Sequence, residues 1–287
     1  LMKISAFYKK YGCYVEWYDQ SRRYDVVYMS KVFSFSPEPF SEINADEVIR
    51  GGSGYAIKLI DGKEVFDKEN HLNLSAQIEH IYPDYSLYRI KNTAYGFMSR
   101  GCPRGCSFCH VQAKEGCRSH KVADLSEFWN GQKNIELLDP NTFACSEWKD
   151  IVTQLIESKA QVNFNQGVDI RMMTPERIEL LMKVNTKHVH FAWDRYQDRD
   201  LIVPKLRQFK EITGWNRGKV TVYILTNYDS TMQQDLERIM LCRELDFCPY
   251  VMRYDKEHIK RGAEINALAR WVNTKMIFLE VSHIRTV

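Results

Sequence analysis

The sequence predicts an α/β protein whose main part is an open six-stranded (β/α)6 partial barrel of the TIM type, preceded by a small α/β unit. Three observations carry this reading. From Ala94 onward, short apolar runs alternate with stretches of helical period, the pattern of a parallel β/α architecture. A complete eight-fold barrel takes about 250 residues, and the alternating part spans only about 160, which is room for six units. The whole chain has 287 residues, 44% hydrophobic and 27% charged, an ordinary balance for a globular protein with a sizeable core.

Residues 1–90 read as the small unit and its linker. Ile4 to Tyr11 has helical character, Tyr14-Val15-Glu16-Trp17 reads as a strand, and Asp25 to Met29 as a second strand. Pro37 and Pro39 break the chain, and Glu47-Val48-Ile49 runs into the turn signal Gly51-Gly52. The stretch from there to Arg89 shows no clear period and contains Pro83, so it is expected to be a linker. Leu1 standing before Met2, and a helix with no strand ahead of it, predict upstream residues that include a first strand.

Residues 91–253 supply the six strands. They are Ala94–Met98, Asn134–Leu138, Gln161–Asn165, His188–Trp193, Val220–Leu225 and Phe247–Met252. Trp148, Ile151, Val152, Leu155 and Ile156 share one apolar helix face. Thr174, Pro175 and Glu176 open the next helix as N-cap, N1 and first-turn acid, and Gly214 stops the one from Leu201 to Thr213. Leu236, Ile239 and Met240 are expected to mark a further buried face. Residues 254–287 are expected to add a helix (Glu264–Val272) and a strand (Met276–Val281). Trp193, Tyr223 and Tyr250 are expected to pack in the barrel core, and Cys242 and Cys248 to be core cysteines.

A net charge of +3 and a pI near 8.3, without any Lys/Arg run, give nucleic-acid binding no support and leave it open. No apolar stretch approaches the roughly 18 to 20 residues of a membrane helix, and no signal-like run follows the N-terminus. A cytoplasmic location is expected. Of the eight cysteines, Cys102, Cys106 and Cys109 sit on one loop, the mark of metal binding in a chain without a disulfide framework.

That loop reads Gly101-Cys102-Pro103-Arg104-Gly105-Cys106-Ser107-Phe108-Cys109-His110 and directly follows the first barrel strand. Thiolates are soft donors for iron–sulfur clusters or zinc. Three of them can hold three irons of a cubane and leave the fourth open for chemistry. Zinc would need His110 or a distant fourth ligand, and His110 is too close to Cys109 in sequence for easy tetrahedral ligation. Strand ends on the same face nominate Asp139, Asn141, Gln166, Arg171, Asp194 and Asn227 as further site residues, each of which could equally be a cap, a loop hydrogen bond or an ion-pair partner.

The C-x3-C-x2-C spacing, with Phe108 before the last cysteine, resembles the radical S-adenosylmethionine (SAM) superfamily over roughly residues 94–253. The resemblance implies a [4Fe-4S] cluster on Cys102, Cys106 and Cys109. Its open iron would take the amino and carboxylate groups of SAM, and reduction would release a 5′-deoxyadenosyl radical that abstracts hydrogen from a substrate. It also implies an electron donor such as flavodoxin or ferredoxin.

Where that family often carries Gly-Gly-Glu for the SAM amino group, this chain has Asp139-Pro140-Asn141, so the role passes to Asp139 or Asn141. The family's Gly-x-Ile-x-Gly-x-x-Glu pattern is absent near strand five, leaving Thr226 and Asn227 as the polar residues near the adenine. Arg171 fits the SAM carboxylate, and Gln166 and Asp194 the ribose hydroxyls.

The first unit resembles the Rossmann-like cobalamin-binding domain of some radical SAM methylases and the related domain of methylthiotransferases. It lacks Asp-x-His-x-x-Gly, its histidines being His71 and His80. A degenerate domain that binds no cobalamin and helps to recognise substrate is expected. The competing reading is a cluster-binding protein of the same fold with a redox or structural role and no SAM cleavage.

Overall fold

The computed structural model describes residues 1–39, 42–60 and 63–280. Helix α1 (Met2–Lys10) buries Ile4 and Ser5. Its Ser5 Oγ and Lys9 Nζ both donate to Asp84, at 2.6 and 2.7 Å. Strands β1 (Tyr24–Ser30) and β2 (Ala45–Gly51) pair in parallel with Ser30 beside Gly51. Cys13 to Trp17 is irregular and not the expected strand. Its aromatics are spent singly: Trp17 Nε1 donates to Leu87 O at 2.8 Å and its ring meets Tyr88 edge-on, while Tyr14 stays exposed.

The expected linker is also more structured than its sequence implied. A short helix α2 (Ser53–Ala56) leads into an antiparallel hairpin of β3 (Ile57–Ile60) and β4 (Lys63–Phe66). Leu59, Ile60 and Val65 are all exposed, so the hairpin has no buried face to impose a period-two pattern. After α3 (Ala76–Glu79), the Tyr85 hydroxyl donates to Phe128 O at 2.7 Å and accepts from Tyr95 N at 2.9 Å, fastening the segment to the next strand.

Six parallel strands follow in chain order. β5 (Thr93–Gly96), a later β8 (Asn134–Leu137) and β9 (Gln161–Phe164) form one sheet, with Ala94, Ile135 and Val162 in register. Between β5 and β8, the antiparallel pair β6 (Ser99–Arg100) and β7 (His120–Lys121) flanks helix α4 (Val111–Glu115). Helix α5 (Trp148–Ser158) precedes β9, burying Ile151, Val152 and Leu155 as expected.

The second sheet is β10 (Val189–Trp193), β11 (Val220–Thr226) and β12 (Cys248–Arg253). Backbone bonds from Val162 N to Asn185 O and from Val168 N to His190 O, at 2.8 and 2.7 Å, link β9 to the segment around β10. Among the described residues the strands form separate sheets and no closed barrel.

Helices α6 (Pro175–Lys183), α7 (Arg199–Thr213) and α8 (Met232–Glu244) connect these strands. The Thr174 hydroxyl accepts from Arg177 N, and Gly214 closes α7 at φ 63°, as the sequence predicts. Alternation gives each strand two unlike faces. Ile135, Val162, Phe191 and Val222 belong to one continuous apolar core. The other face carries Glu136, Asn163, His190 and Tyr223, with Asn163 donating to Glu136 at 2.7 Å and His190 stacked on Tyr223 at 5.3 Å. Trp193 and Cys242 are core residues, whereas Tyr250 is exposed beside Tyr223, because in β12 it is Pro249 and Val251 that point inward.

After α9 (Glu264–Asn273), the expected terminal strand is instead a short helix, α10 (Lys275–Glu280), whose Phe278 packs on Trp271. A short apolar run has no decisive period. Val281 lies outside the described residues. No helix among the described residues is long and apolar enough to cross a membrane.

The buried face of α8 keeps the expected Ile239, with Leu236 packed at the edge of the core, but is otherwise not the expected apolar one. It is Asp235, Arg238, Ile239 and Cys242, with Met240 exposed. The fully buried Arg238 guanidinium donates to Trp193 O at 2.7 Å, Leu225 O at 2.9 Å and Ser230 Oγ at 3.0 Å, and pairs with Asp235. It thus ties the C-terminal ends of β10 and β11 to the helix between β11 and β12. Arg238→Met strands the Asp235 charge and orphans two strand-end carbonyls. A loss of about 3–5 kcal/mol in urea unfolding is expected.

Candidate functional site

The cysteine loop, residues 101–110, is held from both ends. Gly101 adopts φ 84°, and a Cβ there would meet Arg118 O at 2.1 Å, so only glycine lets the strand turn so closely against the chain leaving the loop. Cys102 N donates to Gly116 O at 3.2 Å and Cys109 N to Cys106 O at 2.9 Å. The α4 residue Gln112 donates from its side chain to Cys102 O at 3.1 Å.

Three strand ends grip the loop from the side. Beyond β8, the buried Asp139 carboxylate accepts from Met98 N (2.7 Å), Ser99 N (2.9 Å), Ser99 Oγ (2.6 Å) and Thr142 Oγ1 (3.3 Å). Beyond β9, Asp169 accepts from Arg104, the residue between the first two cysteines. Beyond β11, the Tyr228 hydroxyl bonds Ser107 Oγ while its ring meets Phe108 edge-on at 5.3 Å.

Asn141 is buried against the first cysteine. Its Nδ2 lies 3.8 Å from Cys102 Sγ and donates to Asp169 at 3.3 Å, and its Oδ1 has no hydrogen-bond partner. A buried acceptor without a donor is costly unless a ligand supplies one. Arg171 donates to Asp169 at 2.7 Å and to Asp198 at 2.9 Å, so its guanidinium is already engaged on two sides.

Burial raises the Asp194 carboxyl above its usual range, although Arg171 and Arg238 pull the other way. Burial likewise raises the Cys106 thiol, with Asp194 and Cys109 adding to it. Cys109, exposed as a residue, is raised by partial burial of its thiol and then by Cys102 and Asp194. The three thiols and Asp194 therefore share one electrostatic environment.

A cavity of about 670 Å³ opens beside the loop, lined among others by Arg104, Cys106, Phe108, Arg171, Asp198 and Tyr228. Of the residues expected from sequence, Phe108, Arg171 and Cys106 line it, while Asn141 and Cys102 contact each other outside its lining. Gln166 is exposed at the end of β9. Asn227 holds φ 62° and donates to Tyr254 O at 3.1 Å, the work of a turn residue. Asp139 faces the backbone leading into the loop with both oxygens engaged.

Asp169, Arg104 and Tyr228 escaped the sequence reading. An Asp two residues before Arg171 and an Arg inside the cysteine loop were the signals available for the first two. Among the described residues, no three His, Cys, Asp or Glu side chains converge on a point where one metal ion could sit. No known protein-family model matches the chain, and no curated protein matches its sequence.

The two anchoring carboxylates carry opposite pH signatures. Burial lifts Asp139 from 3.8 to about 6 against the pull of its donors, so its contribution to stability is complete below pH 3.8 and is lost as pH rises through about 6. Asp139→Asn removes this dependence, and urea midpoints of the two proteins between pH 5 and 7 are expected to respond differently, by roughly 1–3 kcal/mol.

For Asp169, burial alone would raise the carboxyl, but Arg171 and Arg104 outweigh it and hold it below its usual range. Its contribution is present above pH 3.8 and lost as pH falls further through its lowered folded-state value. Asp169→Asn is expected to cost about 1–3 kcal/mol at pH 7, with the gap to wild type closing in acid.

Proposed function

We propose that this chain is a radical SAM enzyme, with Cys102, Cys106 and Cys109 holding a [4Fe-4S] cluster and SAM occupying the adjoining cavity. The observation that carries the reading is the buried, partnerless Oδ1 of Asn141, set beside Cys102 on a loop fixed by three strand ends. The donor chemistry fits: thiolates are the soft ligands of iron–sulfur clusters, and three of them would leave one iron of a cubane open. Read this way, the two three-stranded parallel sheets are the halves of an open (β/α)6 partial barrel, with its site at the C-terminal strand ends.

When bound, the cluster would supply the electron that cleaves the SAM sulfonium and starts hydrogen abstraction from a substrate. The protein's own residues bind and aim. Asn141 Oδ1 accepts from the SAM ammonium, and Arg171 receives the carboxylate by exchanging its bond to Asp198. Asp194, beside the thiols, serves a ribose hydroxyl, and Phe108 with Tyr228 closes the cavity against water. Asp139 acts as a positioning residue for the loop rather than as a SAM contact. Exposure of Cys109 gives a flavodoxin or ferredoxin an approach to the cluster. Cobalamin is left out of the proposal because the histidine signature is missing, and His80 is paired with Glu127 at 2.7 Å.

Anaerobic reconstitution is expected to give about four irons per chain, with the absorbance of a cubane lost in each Cys→Ala variant of the three. Reduction with SAM is then expected to yield 5′-deoxyadenosine. A fully loaded protein that forms none would favour a cluster-binding redox or structural role. A Asn141→Ala variant is expected to keep its iron and weaken SAM binding at least tenfold by calorimetry.

A further inference from the structure

A second cavity, of about 630 Å³, lies on the other side of the cysteine loop, where Ser30 and Gly51 end the parallel strands β1 and β2. The crevice outside the carboxyl ends of parallel strands is where open α/β sheets take their ligands, and the volume suits a small molecule. Gly52, at φ 93°, would drive a Cβ to 2.4 Å from Lys31 O, so this turn admits no side chain and leaves the strand ends uncovered.

The wall on the side of the cysteine loop is cationic. Arg100 and Lys114 share one carboxylate, Glu115, at 3.0 and 3.8 Å. Lys114 Nζ also donates to Ser53 Oγ at 3.0 Å, just beyond the Gly51-Gly52 turn. His71 joins them with a buried Nδ1 that has no partner. Burial lowers Lys114, and Arg100 adds to this; burial lowers His71 too, followed by Lys114 and Arg100, so the three groups face a common space. Three basic side chains (Lys3, Arg100 and Lys114) and an unmet imidazole nitrogen against two carboxylates (Glu79 and Glu115) leave an excess of positive charge. Met29, Leu72 and Val122 give the cavity an apolar patch, and Lys3 and Glu79, paired with each other, also line it.

We propose that this cavity binds a small phosphate-bearing molecule, its phosphate held by Lys114, Arg100 and His71 and any organic body lying against the apolar wall. Several donors from different directions match a multiply charged tetrahedral anion better than a planar monoanion. The site is separate from the SAM cavity and does not depend on the cluster.

Calorimetry on the full chain, in phosphate-free buffer and without SAM, tests it with inorganic phosphate, AMP and acetate in turn. One phosphate or AMP per chain is expected, with acetate much weaker. Tighter binding of AMP than of phosphate identifies an organic phosphate as the ligand, and equal binding identifies the free anion. Lys114→Met and His71→Phe, each checked for an unchanged melting temperature without ligand, are expected to weaken binding roughly tenfold or more. Heat-silent titrations with phosphate and AMP, acetate binding as tight as phosphate, or unchanged affinity in both variants would overturn the proposal.

Discussion

The arrangement of the candidate site depends on one carboxylate taking backbone donors out of a neighbouring strand. Asp139 stands just beyond β8 and accepts the amides of Met98 and Ser99, where β5 has ended and the cysteine loop begins. Those amides lie past the end of β5, in a buried stretch where an unpaired donor is costly, and Asp139 satisfies both. Because the acceptor belongs to the next strand of the same sheet, the start of the loop is fixed relative to the sheet itself. Every later contact of the loop builds on that fixed start, including Arg104 on Asp169 and Phe108 on Tyr228.

The second sheet solves a related problem with the opposite charge. Arg238 reaches across the helix–sheet interface to the carbonyls of Trp193 in β10 and Leu225 in β11. A guanidinium has enough donors, in a fixed plane, to serve two strands and Asp235 at once. The two sheets are thus finished at the same end by ionised side chains, one an acceptor and one a donor. That end is also where Arg195 and Tyr228, which line the cavity, follow β10 and β11.

This explains what was legible in the sequence. The six parallel strands, the N-cap at Thr174 and the stop at Gly214 were readable because each rests on a local signal, alternation or a cap, that the fold respects. The α8 face was misread because its buried positions include Asp235 and Arg238, and a charged pair inside the core cancels the apolar period. The β3–β4 hairpin was missed for the converse reason, since its exposed Leu59, Ile60 and Val65 leave no face to pattern. The cysteines were visible by spacing alone. Asp169 and Tyr228, which hold their loop, were not, because a contact across 65 or 121 residues leaves no periodic trace.

The cysteine loop lines one cavity, and the residues that flank it line the other. Its front, with Cys106 and Phe108, lines one, while Arg100 ahead of it and Lys114 after it line the other. The flanks of the loop are cross-linked, Arg100 to Glu115 and Gln112 to Cys102 O. An anion drawn to Lys114 and Arg100 would compete for the charge that Glu115 now balances. The groups it would disturb first are Gly101 and Cys102, since Gly101 N also donates to Glu115, at 3.3 Å. An anion there would therefore act on the backbone that presents Cys102, the cysteine against which Asn141 is packed.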